Sequence, residues 1–353
     1  MRNIGTALLE SGWEVDVLSP RSHENDRSGT QGILYHEFPY DDPSSSIETI
    51  LNTVRGVKAY QNIMEYGDFD VFLDDISHYP YYPGHFFCPE EVTNAIFMHT
   101  AFFGTARKQL GPLRGTVIDG IDRTLPLLKR PEIVCAGEST EKRIQQKTGY
   151  QKTHILHPTV RASEYEFKFN PNSKTITYLG RLGTRKNVSC LLRAWQKVEY
   201  HSSRNLELVI AGSGPQEANL QELAESLRLE DITFAGYVDE SEKRQLLSES
   251  LLYVLPSTME GYATSGLEAL ASGTPVVGSD TFGINDYIEH GRNGYLFPVD
   301  DDTQLAELLI DLTSNTEQLQ QVARDGRKLA EKHDYKEFRQ VADTIFSKLG
   351  QSH

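Results

Sequence analysis

The sequence predicts an α/β protein of two doubly wound, Rossmann-like domains. Three observations predict it. Short apolar runs such as "KTITYLG", "LELVIAG", "LLYVLPS" and "TPVVGSD" alternate with amphipathic helical stretches such as "NVSCLLRAWQKV" and "QEANLQELAESL". Strands that are apolar along their whole length belong to parallel sheets covered on both faces. The alternation runs through two series, separated by a looser segment, "RASEYEFKFNPNSK". The 353 residues suffice for two domains of about 150 residues each. The expected division is residues 1–160, a linker over 161–173, a second domain over 174–335, and a closing amphipathic helix over 336–353 that returns to the first domain.

The chain opens unusually. Arg2 to Ser11 reads as a helix, Gly12 as its stop and Glu14 to Leu18 as a strand. An α/β domain normally opens with a strand whose end loop leads into that first helix. The expectation is therefore a first domain lacking its first strand and loop, by truncation or by a misplaced start. A helix near 45–66 follows, then strands at "FDVFLDD", "NAIFMHT" and "EIVCAG". "STEKRIQQKTGY" is a helix with Ser139 as its cap and Gly149 as its stop. "THILHPTV" is a short strand running into the linker. In the second series, "ITFAGYV" adds a strand and "SEKRQLLSES" a helix.

Composition narrows the function. Acidic residues number 50 against 35 basic, a net charge of −15, and such a surface repels nucleic acid. The three cysteines, Cys88, Cys135 and Cys190, are scattered, without CxxC or Cys/His spacing, which argues against disulfides and zinc and for core thiols in a reducing cytosol. No apolar run approaches the ~18 residues of a membrane span, and no leader opens the chain. The expectation is a cytoplasmic protein, soluble or attached to the inner face of a membrane.

The chemistry gathers at strand ends of the second series. "TYLGRLGTRKN" joins a strand to a helix through Gly180, Arg181, Gly183, Arg185 and Lys186. Glycines admit close backbone approach, and cations beside a helix start suit a phosphate or diphosphate, although a solvated charged turn has the same composition. "IAGSGP" is a second tight turn, equally open to a packing role. The third end, "PSTMEGYATSGLEALASGTPVV", carries Glu260 and Glu268. Ser265 and Glu268 fit a capping box, which leaves Glu260 unexplained. With a helix starting near Thr264, the amides of Ala263, Thr264 and Ser265 would be free donors for an anion, and Gly266 would leave room on that face. A carboxylate beside phosphates is repelled, so Glu268 should accept from neutral donors such as ribose hydroxyls.

Taken together, "GRLGTRKN", "GSGP" and "PSTMEGYATSGLEALASGTPVV", followed by "GINDYIEHGRNGYLFPVDD", resemble the retaining GT-B glycosyltransferases of glycosyltransferase family four (group 1) over nearly all of 174–350. The resemblance implies that Arg181 and Lys186 bind the donor diphosphate and that Glu268 holds the ribose. Glu260, with the backbone of Gly261, Tyr262, Ala263 and Thr264, would hold the donor sugar and its phosphate, and Tyr237 in "FAGYV" would lie beside the base. Ala263 stands where a glycine is common. In the first domain "FMHTAFF" is similar to the family's strand end, so His99 maps to the histidine facing the donor sugar. "LHPTV" departs from the common ending "NGVD".

The implied activity is a metal-independent retaining transfer of a hexose-type sugar from a nucleotide-diphosphate sugar to a sugar, glycolipid or small-molecule hydroxyl. No cofactor is expected, and "LDD" at 73–75 is not expected to bind a metal. Glycan, glycolipid or cell-surface polysaccharide synthesis would be the setting. Two alternatives stand beside it: a nucleotide-sugar 2-epimerase on the same GT-B layout, and a nucleotide-sugar-binding protein inactive through loss of the first strand and loop. For the acceptor, the stretch from "ARKQLGPLRG" to "LLKR" holds Arg107, Lys108, Arg114, Arg123, Lys129 and Arg130 against Asp119 and Asp122, a candidate for an anionic membrane surface or two solvated helix faces. The aromatic "HYPYYPGHFF" suits sugar stacking or plain packing.

Overall fold

The computed structural model describes residues 2–20, 32–39, 46–76, 87–101, 112, 115–116, 120 and 130–351. The aromatic and basic stretches considered for the acceptor lie almost wholly outside these residues. The chain divides into two compact units, residues 1–157 with 336–353, and residues 158–335.

In the first unit, helix α1 (Arg2–Glu10) leads to β1 (Asp16–Pro20), which pairs in parallel with β2 (Leu34–Phe38). Helix α2 (Ser46–Tyr66) then precedes a separate parallel sheet of four strands in sequence order: β3 (Val71–Ile76), β4 (Thr93–Met98), β5 (Glu132–Cys135) and β6 (Thr153–Ile155). Ile96, Met98, Ile133, Cys135 and Ile144 form its core. Helix α3 (Glu138–Thr148) starts before the expected cap: Gly137 is the N-cap, makes no side-chain bond, and Ser139 lies inside the first turn. Glu138 and Glu141 in that turn complement the helix dipole instead. Gly149 ends the helix in the left-handed region, φ 73°, where a side chain would be strained.

The second unit is one six-stranded parallel sheet in the order β12-β11-β10-β7-β8-β9. Its strands are β7 (Thr175–Leu179), β8 (Glu207–Ala211), β9 (Ile232–Gly236), β10 (Leu252–Leu255), β11 (Val276–Ser279) and β12 (Tyr295–Phe297). The helices are α4 (Val188–His201), α5 (Glu217–Leu227), α6 (Glu240–Glu249), α7 (Thr264–Ser272), α8 (Asp302–Ser314) and α9 (Glu317–Lys332). Every residue of β10 and β11 is buried, which is why those strands read as unbroken apolar runs. Trp195, Leu191, Ile176, Leu208 and Val254 belong to one continuous core. From β7 the chain builds outward through β8 and β9, then returns to lay β10 on the other side of β7. That reversal is a topological switch point, and open α/β sheets bind ligands in the crevice beyond such a point.

The last helix, α10 (Tyr335–Gly350), lies in the first unit from Lys336 onward. Trp13 Nε1 donates to Asp343 Oδ1 at 3.1 Å, and Thr93 Oγ1 to the Leu349 carbonyl at 2.9 Å. All three cysteines are buried thiols outside any disulfide, and burial raises the Cys135 and Cys190 thiols above their ordinary range.

Candidate functional site

The two loops flanking the switch point are tied to each other. The loop after β7 ends in one turn of 3-10 helix, Thr184–Lys186, and Asn187 turns the chain into α4 with φ 49°, a conformation that asparagine tolerates better than most residues. The loop after β10 runs from Pro256 to Ala263. Thr258 N–H donates to the Arg185 carbonyl at 2.9 Å. Lys186 Nζ donates to Glu260 Oε1 at 2.7 Å, and Ser257 Oγ donates to the same oxygen at 2.5 Å. Glu260 is 12% exposed. A carboxylate that far from water needs such partners, so Lys186 and Ser257 fix its position.

A third segment braces the Glu260 loop. Glu260 N–H donates to the Phe282 carbonyl at 3.2 Å and Ala263 N–H to the Gly283 carbonyl at 3.1 Å. Gly283 has φ 76°, and a Cβ there would meet the Glu260 and Gly261 carbonyls at 2.6 and 2.7 Å. The donor expected at Ala263 is therefore spent within the protein. The amides of Gly261, Thr264 and Ser265 make no hydrogen bond among the described residues, and the last two open helix α7, whose dipole favours an anion.

Helix α7 corrects two expectations. Its N-cap is Ala263 and no side chain caps it. The Ser265–Glu268 capping box does not form, because the helix starts at Thr264 and Ser265 is already its second residue. Glu268 instead meets Lys243 of α6 at 2.8 Å. Nor does Gly266 leave open space: a Cβ there would lie 2.2 Å from Tyr287 Oη and 2.9 Å from Leu255 Cδ1. It is a packing glycine that lets α7 seat on the core. The glycines of "IAGSGP" also serve packing. Gly212 and Gly214, both at positive φ, sit where a Cβ would strike the Gly180 and Leu182 carbonyls at 2.0 and 2.5 Å.

The remaining site residues are dispersed. Arg181 is exposed, with no ion-pair partner for its guanidinium among the described residues. Tyr237 follows Gly236 at the end of β9 and is 80% exposed. The Tyr262 side chain packs inward against Tyr287, ring centroids 5.1 Å apart. His333 Nδ1 lies 3.1 Å from the Leu329 carbonyl, which only accepts, so that nitrogen carries the proton and Nε2 accepts from the Tyr262 hydroxyl at 2.7 Å. His99 belongs to the first unit, just past β4, where Nε2 lies 2.8 Å from Asp75 Oδ1 of β3. Asp75 and Lys243 are thus partners of candidate residues to which no sequence motif points, while Ser257 is the serine that opens the Glu260 motif. Among the described residues no group of three or more metal-ligating side chains occurs, and no helix is long and apolar enough to cross a membrane.

Residues 161–329, the stretch that holds this whole arrangement apart from His99, Asp75 and His333, match the family described as glycosyl transferases group 1. The second unit is a group 1 glycosyltransferase domain. The chain is 36% identical over 135 residues to the glycosyltransferase MJ1607 of Methanocaldococcus jannaschii, across 37% of this chain and 34% of that protein. It is 29% identical over 175 residues to N-acetyl-α-D-glucosaminyl L-malate synthase of Bacillus anthracis, across 49% and 44%. The matched stretch thus spans less than half of the length of either relative. As a fold, the chain resembles the solved sucrose-phosphate synthase of Thermosynechococcus elongatus with a TM-score of 0.86 at 16% identity, over 100% of this chain and 93% of that one. The α/β architecture of two parallel-sheet units is therefore that of the GT-B proteins.

Proposed function

We propose that the protein transfers a hexose-type sugar from a nucleoside-diphosphate sugar to a hydroxyl acceptor, with retention of configuration and without a metal ion. The observation that carries this reading is the pairing of Lys186 with Glu260 across the switch point, beside the unspent amides of Thr264 and Ser265. An ammonium has three donors, so Lys186 can keep Glu260 in place and still meet a phosphate oxygen. Arg181 supplies an exposed guanidinium suited to bidentate phosphate contact. Glu268 takes the ribose hydroxyls, and Glu260 a hydroxyl of the transferred sugar. Tyr237 beside the base and His99 on the donor sugar rest on the family resemblance.

In the transfer, the bond from the anomeric carbon to the diphosphate oxygen breaks and a bond to the acceptor oxygen forms on the same face. The acceptor proton passes to the departing phosphate. Charge grows on that leaving group, where Lys186, Arg181 and the start of α7 stabilise it; the sugar carbon develops oxocarbenium character. The name of the Bacillus anthracis relative specifies an α-glycosidic product, which suits retention from an α-linked donor. The family match favours a transferase over the epimerase. Synthesis of a glycan, glycolipid or cell-surface polysaccharide in the cytoplasm, with peripheral contact at the inner face of a membrane, is the setting that fits.

The test is thermal unfolding with UDP, GDP, ADP and TDP, on the wild type and on Glu268→Gln. A ligand that binds only the folded protein adds about 2.7 kcal/mol at a hundredfold excess over its Kd. One diphosphate should raise Tm in the wild type and much less in the variant. A cooperative transition that none of the four displaces defeats the reading.

A further inference from the structure

Lys243 lies in the first turn of α6, on a stretch, "SEKRQ", that reads as a solvated helix face. In the fold it is only 11% exposed. Its ammonium donates to Glu240 Oε1 at 2.9 Å and to Glu268 Oε1 at 2.8 Å, with Glu240 Oε2 also 2.8 Å away. Two carboxylates from neighbouring helices thereby hold the ammonium between them. Glu240 is 71% exposed and Glu268 21%. The second oxygen of Glu268, Oε2, has no hydrogen-bond partner among the described residues.

This geometry sets up a specific task. A carboxylate that grips a vicinal diol must hold one orientation, and it must do so near a diphosphate that repels it. Lys243 meets both needs. It fixes Oε1 and leaves Oε2 and the remaining lone pairs available, and its charge offsets that of Glu268. Burial alone pulls an ammonium toward neutrality, but the hydrogen bonds from Lys243 to Glu240 and Glu268 more than reverse this, so it stays charged throughout the working pH range.

On the reading of Glu268 as the ribose ligand, we propose that Lys243 is its positioning residue. The Lys243–Glu268 pair, joining α6 to α7, is then what makes the protein prefer a ribonucleotide donor over one lacking the sugar diol.

The experiment measures Kd by calorimetry for UDP, GDP and ADP and for the 2′,3′-dideoxy form of whichever binds. The proteins are wild type, Lys243→Met, Lys243→Gln, Lys243→Arg, Glu268→Gln and the double variant K243M/E268Q. The wild type should prefer the ribose form by about tenfold or more, the scale of a hydrogen bond to a charged group. Lys243→Met, or Lys243→Gln if the first does not fold, should lose most of that preference while keeping the affinity for the dideoxy form. Lys243→Arg should recover part of it, and the double variant should be no worse than Glu268→Gln. A purely structural lysine would instead weaken both nucleotides equally and add its effect to that of Glu268→Gln. Retention of the ribose preference in the neutral variants overturns the role of Lys243 while leaving the donor site intact. A wild type that binds none of the three diphosphates overturns the donor-site reading and this inference with it.

Discussion

Glu260 and Glu268 lie eight positions apart, and each is held by a lysine from a distant part of the chain: Lys186 after β7 for one, Lys243 in α6 for the other. The spacing of the glutamates is legible in the sequence because both belong to one strand–loop–helix unit. Lys186 is legible as a loop cation but its pairing with Glu260 is not, and Lys243 is not legible at all, because a charge on a polar helix looks the same whether it faces water or a carboxylate. A second residue shows the same coupling in the first unit. Glu132 is bound by His154 Nε2 at 3.0 Å and by Lys152 Nζ at 3.0 Å. The His154 hydrogen bond chiefly, with help from Lys152, lowers its carboxyl below the ordinary range against the opposing pull of burial. A carboxyl whose pKa is depressed by folding stabilises the protein above its unfolded value of about 4.3, and that contribution is lost as pH falls through the folded value. Glu132→Gln should therefore be less stable than wild type at pH 6, with the gap closing below about pH 4.3. Urea midpoints across that range check it; a gap independent of pH would mean that the pair does not titrate with folding.

Among the elements, α7 shows most clearly how packing sets the site. Its start is determined by Gly283 behind the Glu260 loop and by Tyr287, whose hydroxyl donates to the Ala263 carbonyl at 2.9 Å. Gly266 admits that tyrosine. Gly266→Ala would push a methyl into Tyr287 and Leu255 and should cost about 1–3 kcal/mol, the usual range for an overpacked core. It should also weaken nucleoside-diphosphate binding, since the amides of Thr264 and Ser265 move with the helix start. Denaturant unfolding and a binding titration measure the two effects. An unchanged midpoint would show that Tyr287 relaxes freely and does not set the helix. By contrast, α3 and α6 behave as their local sequence suggests at one end each: Gly149 stops α3, and Asp239 with Glu242 forms a full capping box at the start of α6.

At the scale of the molecule, the chain crosses out of the second unit into α10, which is part of the first. Phe338, Ile345, Phe346 and Leu349 of that helix are buried. At about 1.5–3 kcal/mol each, their burial is comparable with the whole stability of a domain, about 5–15 kcal/mol. Removing residues 336–353 should abolish cooperative unfolding of the first unit and leave that of the second, a contrast that calorimetry or amide exchange resolves. A first unit that still unfolds cooperatively would mean that α10 only decorates it.

The sequence by itself determined the α/β class, the parallel sheets and the loops that carry the chemistry. These follow from local periodicity, from unbroken apolar runs and from glycines at strand ends, all written within a few residues of one another. The tertiary structure alone decided that β10 returns beside β7, that Lys186 meets Glu260, that Asp75 meets His99 and that Glu268 faces Lys243. It also decided that Gly212, Gly214 and Gly266 serve packing. The physical reason is the same for each. The side-chain pairs among them join residues from 24 to 74 positions apart, and a pairing at that range is set by how sheets and helices stack, which no local pattern of charge or hydropathy records.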